Sequence, residues 1–363
     1  MIALNNKTIV LTGGGTAGHV LPHLALLPYL KKGFKNIYYI GGVNDNERRI
    51  VEKEGVKFFP VNCAKFRRGL GVKNIVKDIM IPVVLLKSIR SARKILKELK
   101  PDIVFSKGGF VALPVVRAAK SLKIPVVAHE SDVSLGLANR LSVSCCEKIC
   151  TTFKVTAEKS KNPKFVYTGS PIRQKIYQGN RDIVSKRHDL GIGKNLLVLG
   201  GSLGAAKINQ CITDAAKSLV EEFNVIHICG KGKTSTKFVH ARYVQIEFAE
   251  DIENYLAWSD IVVSRAGSNT LCELMVLGKP TLFIPLATGR GDQIENVKEV
   301  LRYNAARVLY EKDLSVFELT NSLLELDKNR DYYIHGSRNV IKDGTEDIYN
   351  TIYSVVCKTY NTK

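Results

Sequence analysis

Short runs of consecutive apolar residues recur along the first half of the chain, and each ends at glycine or small polar residues. The first run enters Gly13-Gly14-Gly15, and apolar residues then follow at helical spacing, which predicts a helix from about His19 to Lys31. Such an alternation of strand and helix favours a parallel sheet covered by helices on both faces. The strands predicted in this half are Thr8–Leu11, Ile37–Ile40, Asp102–Phe105 and Ile124–Ala128.

The same order of elements begins again in the second half, where another apolar run enters Gly200–Gly204. Two such openings predict an α/β protein of two doubly wound, Rossmann-like domains, residues 1–168 and 169–344, joined near Thr168–Pro171. Ligands of such folds bind beyond the carboxyl ends of the strands, so the expected site is a cleft between two facing domains. The strands predicted in this half are Leu196–Leu199, Val225–Cys229, Ile261–Ser264 and Thr281–Ile284.

The composition agrees with a folded two-domain protein and adds a strong positive charge. A chain of 363 residues exceeds what one core usually serves, and 45% hydrophobic with 24% charged residues excludes general disorder. Lys and Arg number 54 against 34 Asp and Glu, a formal charge of +20. That excess favours an anionic partner such as nucleic acid, acidic lipid or a phosphorylated substrate, although a generally basic proteome is an alternative explanation.

Neither the cysteines nor the longest uncharged stretch indicates an extracellular or membrane-spanning protein. The eight cysteines follow no disulfide or zinc spacing, so we expect free thiols in a reducing compartment. The uncharged stretch Thr8–Leu30 holds four glycines, two prolines and two histidines, which a spanning helix tolerates badly. No secretory signal pattern opens the chain, so we expect it to stay on the cytoplasmic side.

The first glycine-rich loop, Gly13–Gly18, matches the G-x-G-x-x-G pattern between a strand and a helix. A dinucleotide site is disfavoured because the next predicted strand ends in Gly41-Gly42 and not in an acidic residue. Glycines followed by a helix start still favour close approach of an anionic ligand. His19, directly after the loop, is a candidate base for a hydroxyl proton, or a histidine that only bonds its own turn.

Three stretches in the second half carry similar chemistry. The loop Gly200–Ala205 can cradle a phosphate with its amides and the Ser202 hydroxyl, or be a tight strand–helix turn. Glu273 can accept both hydroxyls of a ribose, or close a capping box with Thr270 three residues earlier. Gln293 and Asn296, one helical turn apart, have amides able to read sugar hydroxyls.

These motifs, taken together and in order, resemble the MurG family of peptidoglycan N-acetylglucosaminyltransferases in glycosyltransferase family 28. That family belongs to the two-domain GT-B superfamily, so the resemblance implies that fold over nearly the whole chain. It also implies that a C-terminal helix, about 345–360, packs back on the N-terminal domain. The motifs are Thr12–His19, Ser106–Phe110, His129–Asp132 with Asn139, Gly169–Arg173, Gly200–Ser202, Ser264–Glu273 and Asp292-Gln293.

The resemblance implies inverting transfer of GlcNAc from UDP-GlcNAc to the C4 hydroxyl of undecaprenyl-diphosphate-linked MurNAc-pentapeptide. In that family the reaction converts lipid I to lipid II in cell-wall biogenesis, which is linked to cell shape and division. The implied donor contacts are Thr16, Ala17 and Gly18 near the reaction centre, Arg173 and Ser202 at the diphosphate, Ala249 at the uracil, Ser268, Asn269, Thr270, Leu271, Cys272 and Glu273 around sugar and ribose, and Gln293 at GlcNAc.

The expected mechanism is a direct displacement with His19 as the base and Glu130 in reserve. Where some relatives have His-Glu-Gln-Asn, this chain has Asp132 in place of the sugar-contacting Asn, so the role of that position stays open. No carboxylate pair at metal-binding spacing is evident, so we expect no required cofactor and leave a loosely bound magnesium open. Cationic side chains and helix N-termini are expected to stabilise the leaving diphosphate.

The basic charge is concentrated between Val61 and Lys100, where eleven Lys and Arg face only Asp78 and Glu98. Apolar residues at helical spacing lie among them, which favours a peripheral helix on the anionic cytoplasmic face of the cell membrane. A core helix with a solvated basic face is the alternative, and nucleic-acid binding is disfavoured because no aromatic platform accompanies the charge. The predicted membrane and acceptor contacts are Lys65, Arg67, Arg68, Lys73, Ile75, Lys77 and Ile79.

Two rival functions remain at this stage. Another enzyme on the same architecture, a lipid glucosyltransferase or a UDP-sugar 2-epimerase, would share the donor motifs. A basic nucleic-acid-binding module would explain the charge but not those motifs. Dependence on a lipid acceptor separates the transferase from the epimerase, and retention on duplex DNA at moderate salt would support the nucleic-acid module.

Overall fold

A computed structural model describes residues 6–14, 17–43, 45–63, 81–200, 206–287 and 291–361. The chain divides into two compact units. The first unit comprises Met1–Ile172 and Asp343–Lys363, and the second comprises Arg173–Lys342. The chain therefore crosses between the units twice, after Ile172 and after Lys342.

The first unit is built on a seven-stranded parallel sheet in the order β3-β2-β1-β4-β5-β6-β7. Its strands are β1 Thr8–Thr12, β2 Asn36–Gly41, β3 Lys57–Pro60, β4 Ile103–Ser106, β5 Val126–Glu130, β6 Lys148–Thr151 and β7 Phe165–Tyr167. Its described helices are α1 Ala17–Gly33, α2 Asp45–Lys53, α3 Ile81–Leu99, α4 Ala112–Ser121, α5 Leu137–Ser142 and α6 Lys154–Ser160, with a 3-10 turn at Val143–Cys145 and a C-terminal helix described below.

The central strands of this sheet are buried on both faces, which is why their sequences are apolar throughout and do not alternate. Every residue of β1, β4 and β5 is buried. Two cores cover the two faces, one containing Leu26 and Leu30 of α1, the other containing Ala92 and Leu96 of α3. The sheet thus holds its carboxyl-end loops on a rigid support.

The second unit carries a six-stranded parallel sheet in the order β10-β9-β8-β11-β12-β13. Its strands are β8 Lys194–Leu199, β9 Phe223–Ile228, β10 Tyr243–Ile246, β11 Ile261–Ser264, β12 Thr281–Phe283 and β13 Arg307–Val308. Its described helices are α7 Arg181–His188, α8 Ala206–Glu222, α9 Ile252–Trp258, α10 Ser268–Val276, α11 Asp292–Arg302, α12 Val316–Lys328 and α13 Arg330–Ser337, with a 3-10 turn at Gln174–Gln178.

The last helix, α14 Thr345–Asn361, belongs to the first unit although it follows the second unit in the chain. Its residues Ile348 and Ile352 are completely buried in the same core as Leu26 and Leu30. The returning chain is fastened at the crossover, where the Gly344 N–H donates to the Ser170 carbonyl at 2.7 Å. The helix therefore closes one face of the first sheet.

All eight predicted strands exist, and the predicted α/β architecture of two parallel sheets is confirmed. The predicted strand Ile124–Ala128 is displaced to β5, which begins only after Pro125, a residue without an N–H group to donate to a ladder. The short strands β3, β6, β7, β10 and β13 were not predicted. Four of them are the edge strands of the two sheets, and β6 lies next to an edge strand.

We expect Ile352→Ala in α14 to destabilise the first unit by about 2–5 kcal/mol, the usual cost of a large-to-small change in a core. Urea unfolding followed by circular dichroism should show an earlier transition for that unit. The exposed neighbour Ser354 is the matched control, since Ser354→Ala removes no core packing. Equal midpoints for both variants would contradict the packing of α14 on the first unit.

Candidate active site

The candidate site residues of the first unit follow the carboxyl ends of three adjacent strands, β1, β4 and β5. The loop after β1 leads to His19 in the first turn of α1, and the loop after β4 contains Lys107. The end of β5 carries His129 and Glu130. Parallel pairing places these loops side by side at one edge of the sheet.

His19 is half-buried, and its ring is held by a neighbouring loop. Its Nδ1 lies 3.2 Å from the main-chain carbonyl oxygen of Lys107. Because a carbonyl can only accept, Nδ1 must carry the proton, and Nε2 then has the lone pair. The ring therefore has the tautomer that a general base needs. This contact joins His19 to a distant part of the chain. His19 is therefore not a histidine that only bonds its own turn.

A buried polar cluster lies behind His19. The Nζ of Lys107 donates to Nδ1 of His129 at 2.6 Å and to the hydroxyl of Ser131 at 2.7 Å. His129 in turn donates from Nε2 to the Gly169 carbonyl at 3.0 Å. Burial, together with the charge of Lys107, holds the pKa of His129 well below its ordinary value, so this imidazole is a neutral acceptor.

Glu130 is buried and accepts four hydrogen bonds from the loop that follows it. Oε1 accepts from the N–H groups of Ser131 and Asp132, and Oε2 accepts from the N–H of Gly136 and the amide of Asn139. Burial raises the pKa of this carboxyl, and the charge of Asp132 adds to the effect. These hydrogen bonds organise the loop 131–136 around Glu130 and fix the main chain of Asp132 within it.

The two glycine-rich loops of this unit touch main chain to main chain. Gly109 has φ +84°, and a Cβ atom built there would lie 2.3 Å from the Gly14 carbonyl oxygen. Only glycine permits that approach, which explains the second loop motif, Ser106–Phe110. Of the predicted donor contacts here, Thr16 lies outside the described residues, Ala17 is the first residue of α1, and Gly18 is exposed.

In the second unit, the start of α10 provides main-chain donors. Gly267 is the N-cap and makes no side-chain cap hydrogen bond. The capping box offered as one explanation of Glu273 is therefore wrong, since Thr270 lies inside the helix and not at its cap. The first N–H groups of a helix are not used by its own carbonyl groups, so those of Ser268 and Thr270 are candidates to serve an anion.

Glu273 pairs with Arg173 instead. Nε and Nη2 of Arg173 both contact Oε1 of Glu273, at 2.9 and 2.8 Å. Burial raises the pKa of the Glu273 carboxyl, and the charge and hydrogen bond of Arg173 oppose that rise. Since this pair uses only Oε1, the second carboxylate oxygen remains to accept hydroxyl groups.

Gln293 joins the loops after β11 and β12. Its Oε1 accepts from the N–H groups of Ala266 and Leu286, at 3.2 and 2.9 Å. These two bonds fix the orientation of the amide, so Nε2 is a donor that can serve a ligand. Asn296 does not share this role, because it is completely buried; the interpretation of the two amides as a pair of sugar readers is wrong.

The remaining predicted contacts differ in what they offer a ligand. Leu271 and Cys272 have side chains buried in the core, so only their main chain is available. Ala249 lies in the loop after β10, also buried, beside Phe248, whose side chain is 70% exposed. Sequence reasoning missed Phe248, and its signal was an aromatic residue next to a predicted base-binding position. Ser202 lies outside the described residues, as do all seven predicted membrane contacts between Lys65 and Ile79.

No group of three His, Cys, Asp or Glu side chains within the described ranges could hold a metal ion. The expectation that no cofactor is required stays a prediction.

Comparison with known proteins identifies relatives along nearly the whole chain. The family model of the glycosyltransferase family 28 N-terminal domain matches residues 9–151, and that of the family 28 C-terminal domain matches residues 195–352. A UDP-N-acetylglucosamine--N-acetylmuramyl-(pentapeptide) pyrophosphoryl-undecaprenol N-acetylglucosamine transferase of Clostridium botulinum strain Langeland is 43% identical over 352 residues, 95% of this chain and 98% of the relative. The protein of that name from Clostridium tetani is 42% identical, over 95% of this chain and 97% of its own.

Solved structures show the same fold. MurG of Acinetobacter baumannii superposes with a TM-score of 0.75 at 23% identity, covering 96% of this chain and 99% of that one. The UDP-GlcNAc 2-epimerase of Neisseria meningitidis, solved with UDP-GlcNAc, gives a TM-score of 0.68 at 16% identity, covering 97% and 100%. The expected GT-B fold is thereby confirmed.

We expect Arg173→Ala to destabilise the second unit by about 1–3 kcal/mol at pH 8, since it leaves the carboxylate of Glu273 buried without its cation. This destabilisation should become smaller as the pH falls towards 5. A carboxyl whose pKa is raised in the folded state binds a proton there first, and the neutral acid needs no cation. Urea midpoints across this pH range measure the effect.

The matched control is Arg187→Ala, which breaks the pair of Arg187 with Asp251. Arg187 lowers the pKa of Asp251 in the parent, and in the variant the carboxylate still accepts from the Asn254 amide. The destabilisation by Arg187→Ala should therefore change little between pH 8 and pH 5. Identical pH dependence for the two variants would contradict the raised pKa of Glu273.

Proposed function

The chain belongs to glycosyltransferase family 28, and from this membership we propose that it transfers GlcNAc from UDP-GlcNAc to the C4 hydroxyl of undecaprenyl-diphosphate-linked MurNAc-pentapeptide. The transfer inverts the anomeric centre and forms lipid II from lipid I in peptidoglycan biosynthesis. The observation that carries the proposal is the largely buried carboxylate of Glu273 in α10, which is paired with Arg173. This group of residues matches the chemistry of a nucleoside diphosphate.

Different groups of the second unit bind the different parts of the donor. Oε2 of Glu273 accepts the ribose hydroxyls, while the first-turn N–H groups of α10 and the remaining Nη1 of Arg173 bind the diphosphate. Main-chain groups at Ala249 hold the uracil, and the exposed ring of Phe248 offers it a stacking surface. Nε2 of Gln293 donates to a hydroxyl of GlcNAc.

The reaction is a single displacement at C1 of GlcNAc. The acceptor C4 oxygen forms the new bond as the bond to the diphosphate oxygen breaks, and Nε2 of His19 takes the C4 hydroxyl proton. UDP leaves with the bonding electrons, and its added negative charge is stabilised by Arg173 and the helix N-terminal amides. The transition state has oxocarbenium character, so these pre-placed donors act on charge that develops only there.

His19 suits the role of base better than Glu130 does. The lone pair on Nε2 of His19 follows from its bond to the Lys107 carbonyl. Glu130 already accepts four hydrogen bonds, which occupy the lone pairs that a base would need. We therefore assign Glu130 the task of organising its own loop.

The decisive experiment measures UDP release from UDP-GlcNAc with and without a detergent-solubilised muramoyl-lipid acceptor. We expect release only with the acceptor, together with a GlcNAc-containing lipid product. An epimerase on the same fold would convert UDP-GlcNAc without any lipid. Conversion that ignores the acceptor would overturn the proposed transferase activity.

We also propose peripheral attachment to an anionic membrane on the cytoplasmic side. Helix α3, directly after residues 64–80, exposes Val83 and Leu86 at its start and basic side chains along its length. An exposed apolar end beside a basic face is typical of a helix that rests on anionic lipid. No helix in the described part of the chain has the length and apolarity to cross a bilayer.

We expect His19→Ala to leave UDP affinity near normal and to lower kcat by roughly 10²–10⁴-fold, the usual range for loss of a general base. Isothermal titration with UDP and steady-state kinetics measure the two quantities. His23→Ala is a poor control, since His23 is a buried core residue; His335→Ala, far along the chain on α13, is a suitable one. Wild-type turnover in His19→Ala would remove His19 as the base.

We expect charge neutralisation on α3 to release the protein from anionic vesicles while donor affinity survives. Each cation near an acidic bilayer contributes about 1 kcal/mol, so five substitutions to Gln should weaken attachment by several decades if all face the lipid. High salt should have the same effect on the parent, because surface charges are screened within about 8 Å. The exposed residues to change are Lys87, Arg90, Arg93, Lys94 and Lys97.

The matched control changes five exposed lysines of the second unit to Gln, with the same change in net charge. Vesicle co-sedimentation at low salt compares the two variants with the parent. If the α3 variant sediments like the control, α3 is not part of the membrane face. The control residues are Lys186, Lys217, Lys231, Lys312 and Lys328.

A further inference from the structure

Lys107 is a charged residue in the interior of the first unit whose role the donor chemistry does not explain. It is 2% exposed at the end of β4, and its own N–H donates to the Thr12 carbonyl at 2.9 Å. Its carbonyl accepts from Nδ1 of His19. The main chain of this one residue thus connects the end of β1 with the candidate base.

We propose that Lys107 is a positioning residue for His19: its side chain, fastened to His129 and Ser131, orients the carbonyl that selects the Nδ1–H tautomer. This inference rests on the proposed function, in which His19 is the base. Lys107 touches no reacting atom in this scheme. It acts only through the ring that it holds.

The carbonyl of Lys107 needs an anchor because two glycines follow it. Gly108 has φ +75° and Gly109 has φ +84°, a region that most other residues avoid. Glycine leaves the neighbouring peptide group many orientations in a flexible chain. The N–H of Gly108, in the same peptide group, donates to the Ser106 hydroxyl at 3.2 Å. The Lys107 side chain adds a second anchor for the C=O that faces His19.

The anchor is short and buried. Nζ of Lys107 donates to Nδ1 of His129 at 2.6 Å and to Oγ of Ser131 at 2.7 Å. His129 is completely buried and is itself fixed through Nε2 to the Gly169 carbonyl. The ammonium is therefore held by two groups that belong to β5 and its following loop, on the far side of β4 from His19.

The consequence for His19 is a choice between its two neutral tautomers. A fixed carbonyl facing Nδ1 stabilises the form with the proton on Nδ1, and that form alone offers Nε2 as the acceptor. Loss of the orientation would populate the form with the proton on Nε2. That form cannot take a proton from the acceptor hydroxyl.

The first measurement observes the tautomer directly in full-length protein labelled with ¹⁵N-histidine. Long-range ¹H–¹⁵N correlation spectra distinguish protonated from unprotonated ring nitrogens, and the His19→Ala spectrum assigns the His19 signals. We expect the parent to show Nδ1–H and Lys107→Met to show a mixture with Nε2–H. The matched control is Lys120→Met, an exposed lysine on α4, which should give the parent spectrum.

The second measurement separates binding from turnover. Lys107→Met should lower kcat by on the order of tenfold to a hundredfold, less than His19→Ala, and leave the KM for UDP-GlcNAc within about twofold. Ser131→Ala removes the hydrogen bond from Nζ of Lys107 to the Ser131 hydroxyl and should lower kcat by roughly twofold to tenfold. Ser131→Thr keeps the hydroxyl and should restore most of the rate, which keeps the test valid if Lys107→Met does not fold.

An unchanged Nδ1–H signal in Lys107→Met, or in Ser131→Ala if only that variant folds, overturns the inference. So does a loss of kcat in Ser131→Ala that Ser131→Thr does not restore. Failure of the proposed function has a different signature: the tautomer shifts in Lys107→Met, yet His19→Ala turns over like the parent. In that case Lys107 still positions the ring, but the ring is not the base.

Discussion

Parallel strand pairing is the constraint on which the rest of this structure depends. It brings the carboxyl ends of all strands of a sheet to one edge, so residues distant in sequence become neighbours there. His19, Lys107 and His129 meet in this way at the carboxyl ends of β1, β4 and β5. In the second sheet, the ends of β11 and β12 are joined by the single amide of Gln293. Each site is therefore a property of a sheet edge and not of a local motif.

The carboxylates at these edges are balanced by hydrogen bonds from a following loop in one case and by an ion pair with a distant residue in the other. Glu130 accepts from three N–H groups of the loop that follows it and from the amide of Asn139. Glu273 receives Arg173, one hundred residues earlier. A carboxylate buried without such partners would cost several kcal/mol or take up a proton. The same contacts that oppose the rise in the pKa of each carboxyl also hold it in one direction, which is what a ligand site requires.

The sequence predicted the architecture well because apolar runs and glycine turns are local signals. The strands of both sheet centres were predicted, whereas the short edge strands β3 and β13 were not, since they carry little periodicity of their own. The site was predicted as a set of motifs, but its contacts were not. Thr270 and Glu273 have capping-box spacing, and only the position of Gly267 at the helix start shows that no box forms. Spacing could not show that Asn296 is sealed in the core while Gln293 is not.

In the proposed function, the pair of Arg173 and Glu273 is a nucleotide site that is prepared before the nucleotide binds. If the carboxylate had to exchange Arg173 for the ribose, binding would lose one charge-assisted contact for each that it gained. The pair uses only Oε1, so a ribose can bind at Oε2 while the ion pair stays intact. In the same proposal, Nη1 of Arg173 is the group that binds the diphosphate. Little rearrangement is then required, and more of the interaction energy remains to stabilise the charge that develops as UDP leaves.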